Sequence, residues 1–200
     1  MLRIAFSGIP GCGKTTSSRA FSAMFKPNGK TLNIEVITEH ARTYMFKYGP
    51  PKNVWEQYLI LDKQIDLEQS IPDAVELLIT DSPLQLALQY ALDLRDPSSK
   101  KDSMVIDDIF HKLNNLNTPP RYDIIFHLPP VIDPVKDGIR PDKHFDKQWR
   151  QGADESIKIL CKKTFPCKKF VEVDVIPLMD RVEFCCKISE EYIKSLGEKV

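Results

Sequence analysis

The sequence of 200 residues lacks several features that mark whole classes of protein. It has no long apolar run, signal peptide or lipidation signal, so we expect a cytoplasmic protein that does not contact a membrane. Lys and Arg together number 28, as do Asp and Glu, and the resulting formal charge of zero argues against a protein built to coat nucleic acid. Repeats and low-complexity segments are absent too. These absences leave an ordinary globular protein as the expectation.

The number and spacing of the cysteines also argue against a cysteine-bound metal site and a disulfide framework. The five cysteines have no metal-ligand spacing, and an odd number favours reduced thiols in a cytosolic chain over a disulfide framework. A length of 200 residues with 42% hydrophobic residues predicts one α/β domain over residues 1–200, large enough to bury a core.

One stretch matches the phosphate-binding loop pattern of Gly, four residues, Gly-Lys and then Ser or Thr. It consists of Gly8, Ile9, Pro10, Gly11, Cys12, Gly13, Lys14 and Thr15. An apolar strand candidate at 2–6 precedes it, and a helix candidate at 14–25 follows it. Strand, glycine-rich loop and helix are the context that this motif requires, so a phosphate-binding loop is predicted here.

The residue types in the loop suit a nucleotide and a metal ion. The N–H groups of the loop and the N-terminus of the following helix can bind a phosphate chain. Lys14 can bridge the β- and γ-phosphates of ATP, and the Thr15 hydroxyl can hold Mg²⁺. The predicted ATP contacts are Gly8, Pro10, Gly11, Cys12, Gly13, Lys14, Thr15 and Thr16. Cys12 is interpreted as a small loop residue, with a redox role as the alternative.

Strand and helix signals alternate along the rest of the chain. Strands are predicted at 34–38, 76–80, 123–128 and 169–173, and helices at 40–46, 53–69, 84–95, 103–115, 144–163 and from 177. Alternation of this kind predicts a five-stranded parallel sheet in a three-layer P-loop NTPase fold.

Two local patterns add detail to the predicted helices. Ser82 and Gln85 form a capping-box pattern at the start of the fourth helix, with Pro83 at its first position. An apolar stripe predicts the buried face of the third helix; its members are Trp55, Tyr58, Leu59, Leu61 and Ile65.

Carboxylates follow two of the predicted strands. Asp81 ends the third strand, at the edge where parallel sheets bind ligands, and can hold Mg²⁺; the alternative is a simple helix cap. Glu39 ends the second strand and can accept a proton from an acceptor hydroxyl; the alternative is a surface charge. Arg42, one turn later, can bind the acceptor or pair with Glu39. Gln57 and Tyr58 on the next helix are further candidate acceptor contacts.

The charged segment at about 131–152 predicts a mobile lid. An arginine carried by a lid can close over ATP and stabilise the transition state, and Arg140 and Arg150 are the candidates. The alternative is a solvated loop.

The chain resembles the small P-loop kinases of nucleosides and nucleotides, in particular the nicotinamide-riboside-kinase-like ATPase/kinase domains of bacteria and bacteriophages. The resemblance is carried by the loop at 8–15, by segments 39–42 and 80–84, and by 137–140. It implies that Glu39 is the base contacting a sugar hydroxyl, that Asp81 is the third-strand carboxylate, and that Arg140 or Arg150 is the lid arginine. Ser82-Pro83 replaces the Asp-Arg pair of many nucleotide kinases, which argues against a typical thymidylate or adenylate kinase.

We therefore expect an ATP- and Mg²⁺-dependent kinase, with Lys14, Glu39, Asp81 and a lid arginine as catalytic residues. The expected acceptor is a nucleoside, a nucleotide or a similar small molecule, while modified bases or ends of DNA are an alternative. A P-loop ATPase acting as a hydrolytic or regulatory module is the competing class, and a homodimer is left open.

Overall fold

The computed structural model describes residues 1–131, 138 and 141–197. Its centre is a parallel sheet with strand order β2-β3-β1-β4-β5. The strands are β1 (Leu2–Ser7), β2 (Ile34–Ile37), β3 (Leu77–Thr80), β4 (Ile124–His127) and β5 (Lys169–Glu172). The predicted five-stranded parallel sheet is therefore confirmed.

Seven α-helices surround the sheet within the described residues. They are α1 (Lys14–Met24), α2 (His40–Tyr48), α3 (Val54–Gln69), α4 (Gln85–Leu94), α5 (Lys100–Leu116), α6 (Lys147–Ile159) and α7 (Leu178–Gly197). Helix α1 packs against α7, and α3 packs against α4 and α5. Strands β3 and β4 are buried along their whole length, as expected where helices cover both faces of a parallel sheet. This arrangement is the predicted three-layer architecture.

Aromatic side chains fasten α1 onto the sheet beneath the glycine-rich loop. Phe21 on α1 stacks on Phe25 with ring centroids 4.8 Å apart, and its ring lies edge-on to Phe6 of β1 at 5.6 Å. Phe6 also lies 5.5 Å from Phe126 of β4. All four rings are almost fully buried. They fix the direction in which α1 leaves the loop.

The start of α4 differs from the prediction. The helix begins at Gln85, its cap position is Leu84, and no side chain caps it. The Leu84 N–H donates instead to the hydroxyl of Tyr122, at 3.1 Å. The prediction of a capping box formed by Ser82 and Gln85 is wrong, because the Ser82 hydroxyl donates to Glu39 instead.

The buried face of α3 is rotated relative to the predicted stripe. Leu61 and Ile65 are buried, but Trp55 and Leu59 are 51% and 45% exposed. The face that packs inward carries polar residues as well; it comprises Val54, Gln57, Ile60, Leu61, Gln64, Ile65 and Glu68. The apolar stripe did not predict this face because Gln57, Gln64 and Glu68 are polar residues that are nevertheless buried.

The predicted helix at 144–163 is divided into three pieces. A 3-10 turn, Asp142–Phe145, precedes α6, and a five-residue π-helical turn, Leu160–Thr164, follows it. The helix continues through Gly152 without interruption. Of the predicted lid at 131–152, residues 132–137, 139 and 140 lie outside the described residues, and so does Arg140. The mobile lid stays a prediction.

No helix in the described part of the chain combines the length and the apolar character that a bilayer crossing needs.

Candidate active site

The loop between β1 and α1 has the backbone of a phosphate-binding loop. Gly8, Gly11 and Gly13 have φ values of 135°, 82° and 94°, in the left-handed region that glycine adopts without strain. A Cβ atom on Gly8 would lie 2.5 Å from the carbonyl oxygen of Leu128 and 2.7 Å from the Cys12 sulfur. Only glycine fits at the first position of this loop.

Two cations are held against the carbonyl groups of the loop. Lys14 Nζ donates to the carbonyl oxygens of Gly8 at 2.9 Å and Ile9 at 3.1 Å. Arg150 Nη1, from α6, donates to the carbonyl oxygen of Pro10 at 2.9 Å. Both side chains are largely buried, with 7% and 6% exposure. The structure thus brings Arg150 next to the loop across 140 positions of sequence.

Thr15 and Asp81 form the second part of the site. The Thr15 hydroxyl donates to Asp81 Oδ2 at 2.8 Å, while Asp81 Oδ1 is buried without a hydrogen-bond partner. A hydroxyl beside a carboxylate oxygen that lacks a partner is a fitting ligand set for Mg²⁺, which prefers oxygen ligands. Thr16, also a predicted nucleotide contact, is exposed at the first turn of α1.

Cys12 lies inside the loop with 1% exposure. Burial raises the pKa of its thiol, and the positive charge of Lys14 acts in the opposite direction without reversing the shift. A thiol with a raised pKa is a poor nucleophile at neutral pH, so the environment disfavours the redox alternative. The described cysteines are all free thiols.

A cleft lined by Ser82, the residue after Asp81, opens near the carboxyl ends of β2 and β3. Glu39, the residue that precedes α2, lies on its wall, and Ser82 Oγ donates to Glu39 Oε1 at 3.4 Å. The lining residues are Glu39, Ala41, Gln57, Ile60, Leu61, Gln64, Ser82, Pro83, Leu84, Leu86, Ala87 and Tyr90. Because β3 lies between β2 and β1 in the sheet, Asp81 stands between this cleft and the phosphate loop.

Two carboxamides from α3 line the cleft. Gln57 and Gln64 are 3% and 6% exposed. Gln64 Oε1 accepts a hydrogen bond from the His40 N–H at 2.8 Å, while Gln64 Nε2 is buried without a partner. Gln64 therefore holds the first turn of α2 beside Glu39 and presents a donor at the cleft. The sequence left both residues facing either a pocket or solvent, and of the two only Gln57 was a predicted acceptor contact.

Arg42 and Tyr58 are not among the residues that line the cleft. Arg42 is exposed on α2, with its guanidinium carbon 5.7 Å from the centroid of the Phe46 ring. The Tyr58 ring stacks on Trp55 at 5.2 Å, and its hydroxyl accepts a hydrogen bond from Lys112 at 2.9 Å. In this structure neither side chain lines the cleft as the sequence had suggested, because Arg42 is exposed to solvent and Tyr58 is half-buried against α5.

Comparison with models of known protein families assigns the chain to one family. Residues 3–171 match a family model described as an AAA domain. The chain belongs to this family. No match is found among the curated proteins.

Solved structures of the NadR protein and of two kinases show the same fold. The NadR protein in complex with NR superposes with a TM-score of 0.71 and 17% identity over 96% of this chain; the chain spans about half (51%) of that NadR chain. Thymidylate kinase from Candida albicans gives a TM-score of 0.64 with 15% identity, covering 95% of this chain and 91% of the kinase. Deoxyadenosine kinase from M. mycoides, with bound dCMP and dCDP, gives 0.64 with 18% identity, covering 95% and 99%.

These similarities confirm the resemblance to nucleoside and nucleotide kinases at the level of the fold. The AAA-domain chain has their five-stranded parallel sheet with helices on both faces, and a phosphate-loop motif at the end of β1.

Proposed function

We propose that this AAA-domain protein is a kinase that transfers the γ-phosphate of ATP to a hydroxyl group of a small nucleoside-like acceptor. One observation carries the proposal. A phosphate-type loop with a Thr15–Asp81 pair lies at the same sheet edge as a cleft that contains a carboxylate, Glu39. Open α/β sheets bind ligands at this edge. In this proposal residues 1–200 form one kinase domain.

The loop and its two cations would bind the nucleotide. The N–H groups from Gly11 to Thr16 and the N-terminus of α1 suit the phosphate chain of ATP. Lys14 and Arg150, which now bond to loop carbonyls, can exchange those partners for phosphate oxygens. Thr15 and Asp81 would hold Mg²⁺, which when bound neutralises charge on the phosphates.

In the transfer step, the acceptor hydroxyl oxygen forms a bond to the γ-phosphorus. The bond from that phosphorus to the β–γ bridging oxygen breaks, and ADP leaves with the electron pair. Glu39 accepts the hydroxyl proton. Arg150 stabilises the charge on the transferring group, because it lies against the loop that would bind those phosphates.

The lining of the cleft favours an acceptor that carries hydroxyl and heterocyclic groups. Its lining residues include the carboxylate of Glu39 and the carboxamides of Gln57 and Gln64. Hydroxyls and heterocyclic edges can form hydrogen bonds with carboxylate and amide groups.

The test is ADP release from ATP and Mg²⁺ across nucleosides, deoxynucleosides, their monophosphates, nicotinamide riboside, and single- and double-stranded DNA. We expect stimulation by one small acceptor, with labelled γ-phosphate recovered on it. Equal ADP release with and without acceptors would contradict a kinase and support the ATPase class. Stimulation by DNA alone would contradict the proposed class of small acceptors.

Lys14→Ala is the matched inactive variant for this test. It removes the ammonium that the loop holds, so we expect loss of transfer, with an unchanged far-UV circular dichroism spectrum showing that the fold survives. Transfer at the wild-type rate would refute the assignment of the loop.

A further inference from the structure

Helix α6 contacts the phosphate loop through Arg150 and the sheet beneath the loop through a second residue, Asp154. Asp154 Oδ1 lies 2.9 Å from His127 Nε2, at the end of β4. His127 is fully buried, and Asp154 is 5% exposed. The other oxygen, Asp154 Oδ2, pairs with Lys158 at 3.0 Å. A buried carboxylate with two partners holds α6 to β4 at a defined rotation.

His127 continues this connection towards the loop. Its Nδ1 lies 3.5 Å from Ser7 Oγ, and Ser7 is the last residue of β1, directly before Gly8. The ring also stacks on Phe170 of β5, with centroids 5.6 Å apart. When Nε2–H donates to the Asp154 carboxylate, Nδ1 is the acceptor for the Ser7 hydroxyl. Asp154 is therefore linked through one imidazole to the residue at which the loop begins.

Arg150 and Asp154 are four positions apart on α6, so they lie on the same face of the helix. We propose that Asp154 and His127 are positioning residues that hold α6 so that Arg150 stays against the Pro10 carbonyl, ready for the phosphates. The inference rests on the proposed function for the part that Arg150 plays in transfer. Asp154 and His127 themselves lie beneath the loop and would not touch the substrate.

The buried pair of Asp154 and His127 is better suited to orienting α6 than to stabilising the fold. Apolar residues of similar volume stabilise a buried site as well as an ion pair does, or better, because they carry no desolvation penalty. A hydrogen bond fixes both distance and direction, which a sliding apolar contact does not. Loss of the Asp154 carboxylate should therefore free α6 to rotate and shift Arg150, and a shift of about 1 Å can lower a rate by roughly 10²-fold.

A double-mutant cycle on kcat separates positioning from general stabilisation. Asp154→Ala should lower kcat by roughly 10- to 100-fold with little change in KM for ATP. The double variant Arg150→Ala/Asp154→Ala should have the same kcat as Arg150→Ala alone. Asp154→Ala should lower thermal stability whether or not Arg150 is present. If the two losses of kcat multiply instead, Asp154 does not act through Arg150 and the proposal is overturned.

Two further variants control the cycle. Lys158 of α6 lies 3.2 Å from Glu172 of β5, and this ion pair also joins the helix to the sheet. Glu172→Gln weakens it. It should leave kcat unchanged, and an equal loss of kcat there would show a general effect of loosening α6. If Asp154→Ala does not fold, Asp154→Leu replaces it, because leucine fills the space without a buried charge or acceptor.

Hydrogen exchange of the Arg150 side chain tests the positioning without any substrate. Its Nε–H signal in ¹⁵N NMR is assigned by its loss in Arg150→Ala. We expect slow exchange with water in the wild type and at least roughly tenfold faster exchange in Asp154→Ala or Asp154→Leu. Unchanged exchange overturns the proposal. Faster exchange in a protein that transfers no phosphate to any acceptor would refute the kinase assignment alone and leave the positioning role standing.

Discussion

At the scale of single residues, Glu39 shows how a common side chain acquires a specific environment. It follows β2, half-buried on the cleft wall, and accepts a hydrogen bond from Ser82. If Glu39 is the general base, Glu39→Gln should lower kcat by roughly 10²–10⁴, because an amide cannot accept the proton. Steady-state kinetics with the acceptor found in the panel measures this.

Glu35→Gln is the matched control for Glu39→Gln. Glu35 lies in β2, four residues before Glu39, and is exposed to solvent. The control should retain the wild-type kcat. A near-normal kcat for Glu39→Gln would remove Glu39 from the role of base, and its carboxylate would then serve to bind the acceptor.

At the scale of secondary structure elements, the start of α4 depends on a tyrosine 38 positions away. The Tyr122 hydroxyl accepts from the Leu84 N–H and donates to Glu68 Oε1 at 2.9 Å. Tyr122→Phe leaves both groups buried without this partner, so we expect a loss of about 1–3 kcal/mol in the free energy of unfolding. Burial and the charge of Glu68 raise the pKa of Tyr122, so the phenol remains a donor across the accessible pH range.

Urea unfolding measures this loss, with Tyr192→Phe as the control. The Tyr192 hydroxyl donates to Asp123 Oδ1 at 3.3 Å in a partly buried position, so its removal should cost less than Tyr122→Phe. A smaller loss for Tyr122→Phe than for Tyr192→Phe would contradict the role of Tyr122 as the partner of α4.

At the scale of the whole molecule, stability should depend on the aromatic cluster that fixes α1 beneath the loop. Phe126 is fully buried in β4, 5.5 Å from Phe6 and 6.2 Å from Phe21. Phe126→Ala removes a buried ring and leaves a cavity, so we expect a loss of about 3–5 kcal/mol in the free energy of unfolding. Chemical denaturation followed by circular dichroism checks the value.

Phe46→Ala is the exposed counterpart of that change. Phe46 is 64% exposed on α2, so its removal should alter the free energy of unfolding by less than about 0.5 kcal/mol. Similar losses for the two variants would show that the cluster does not carry the stability that its burial indicates.

Much of the fold could be predicted because its signals are local. The glycine-rich loop, the apolar strands and the alternation of strands with helices each depend on neighbouring residues, and parallel connections leave few topologies. The predicted strands lie within one or two residues of those observed, as β3 (Leu77–Thr80) and β4 (Ile124–His127) show. Placement of Asp81 at a strand end, next to a helix, followed from the same local pattern.

Contacts between distant elements were decided by the tertiary structure alone. The sequence determined a phosphate-type loop, two carboxylates at strand ends and a parallel sheet. Strand order then brought Glu39 and Ser82 together. Helix rotation turned Gln64 towards the cleft and Tyr58 towards α5, and α6 carried Arg150 to Pro10. The physical reason is that each side chain's partner is set by how whole elements pack. That packing follows from the summed burial of many residues, which no short window of sequence contains.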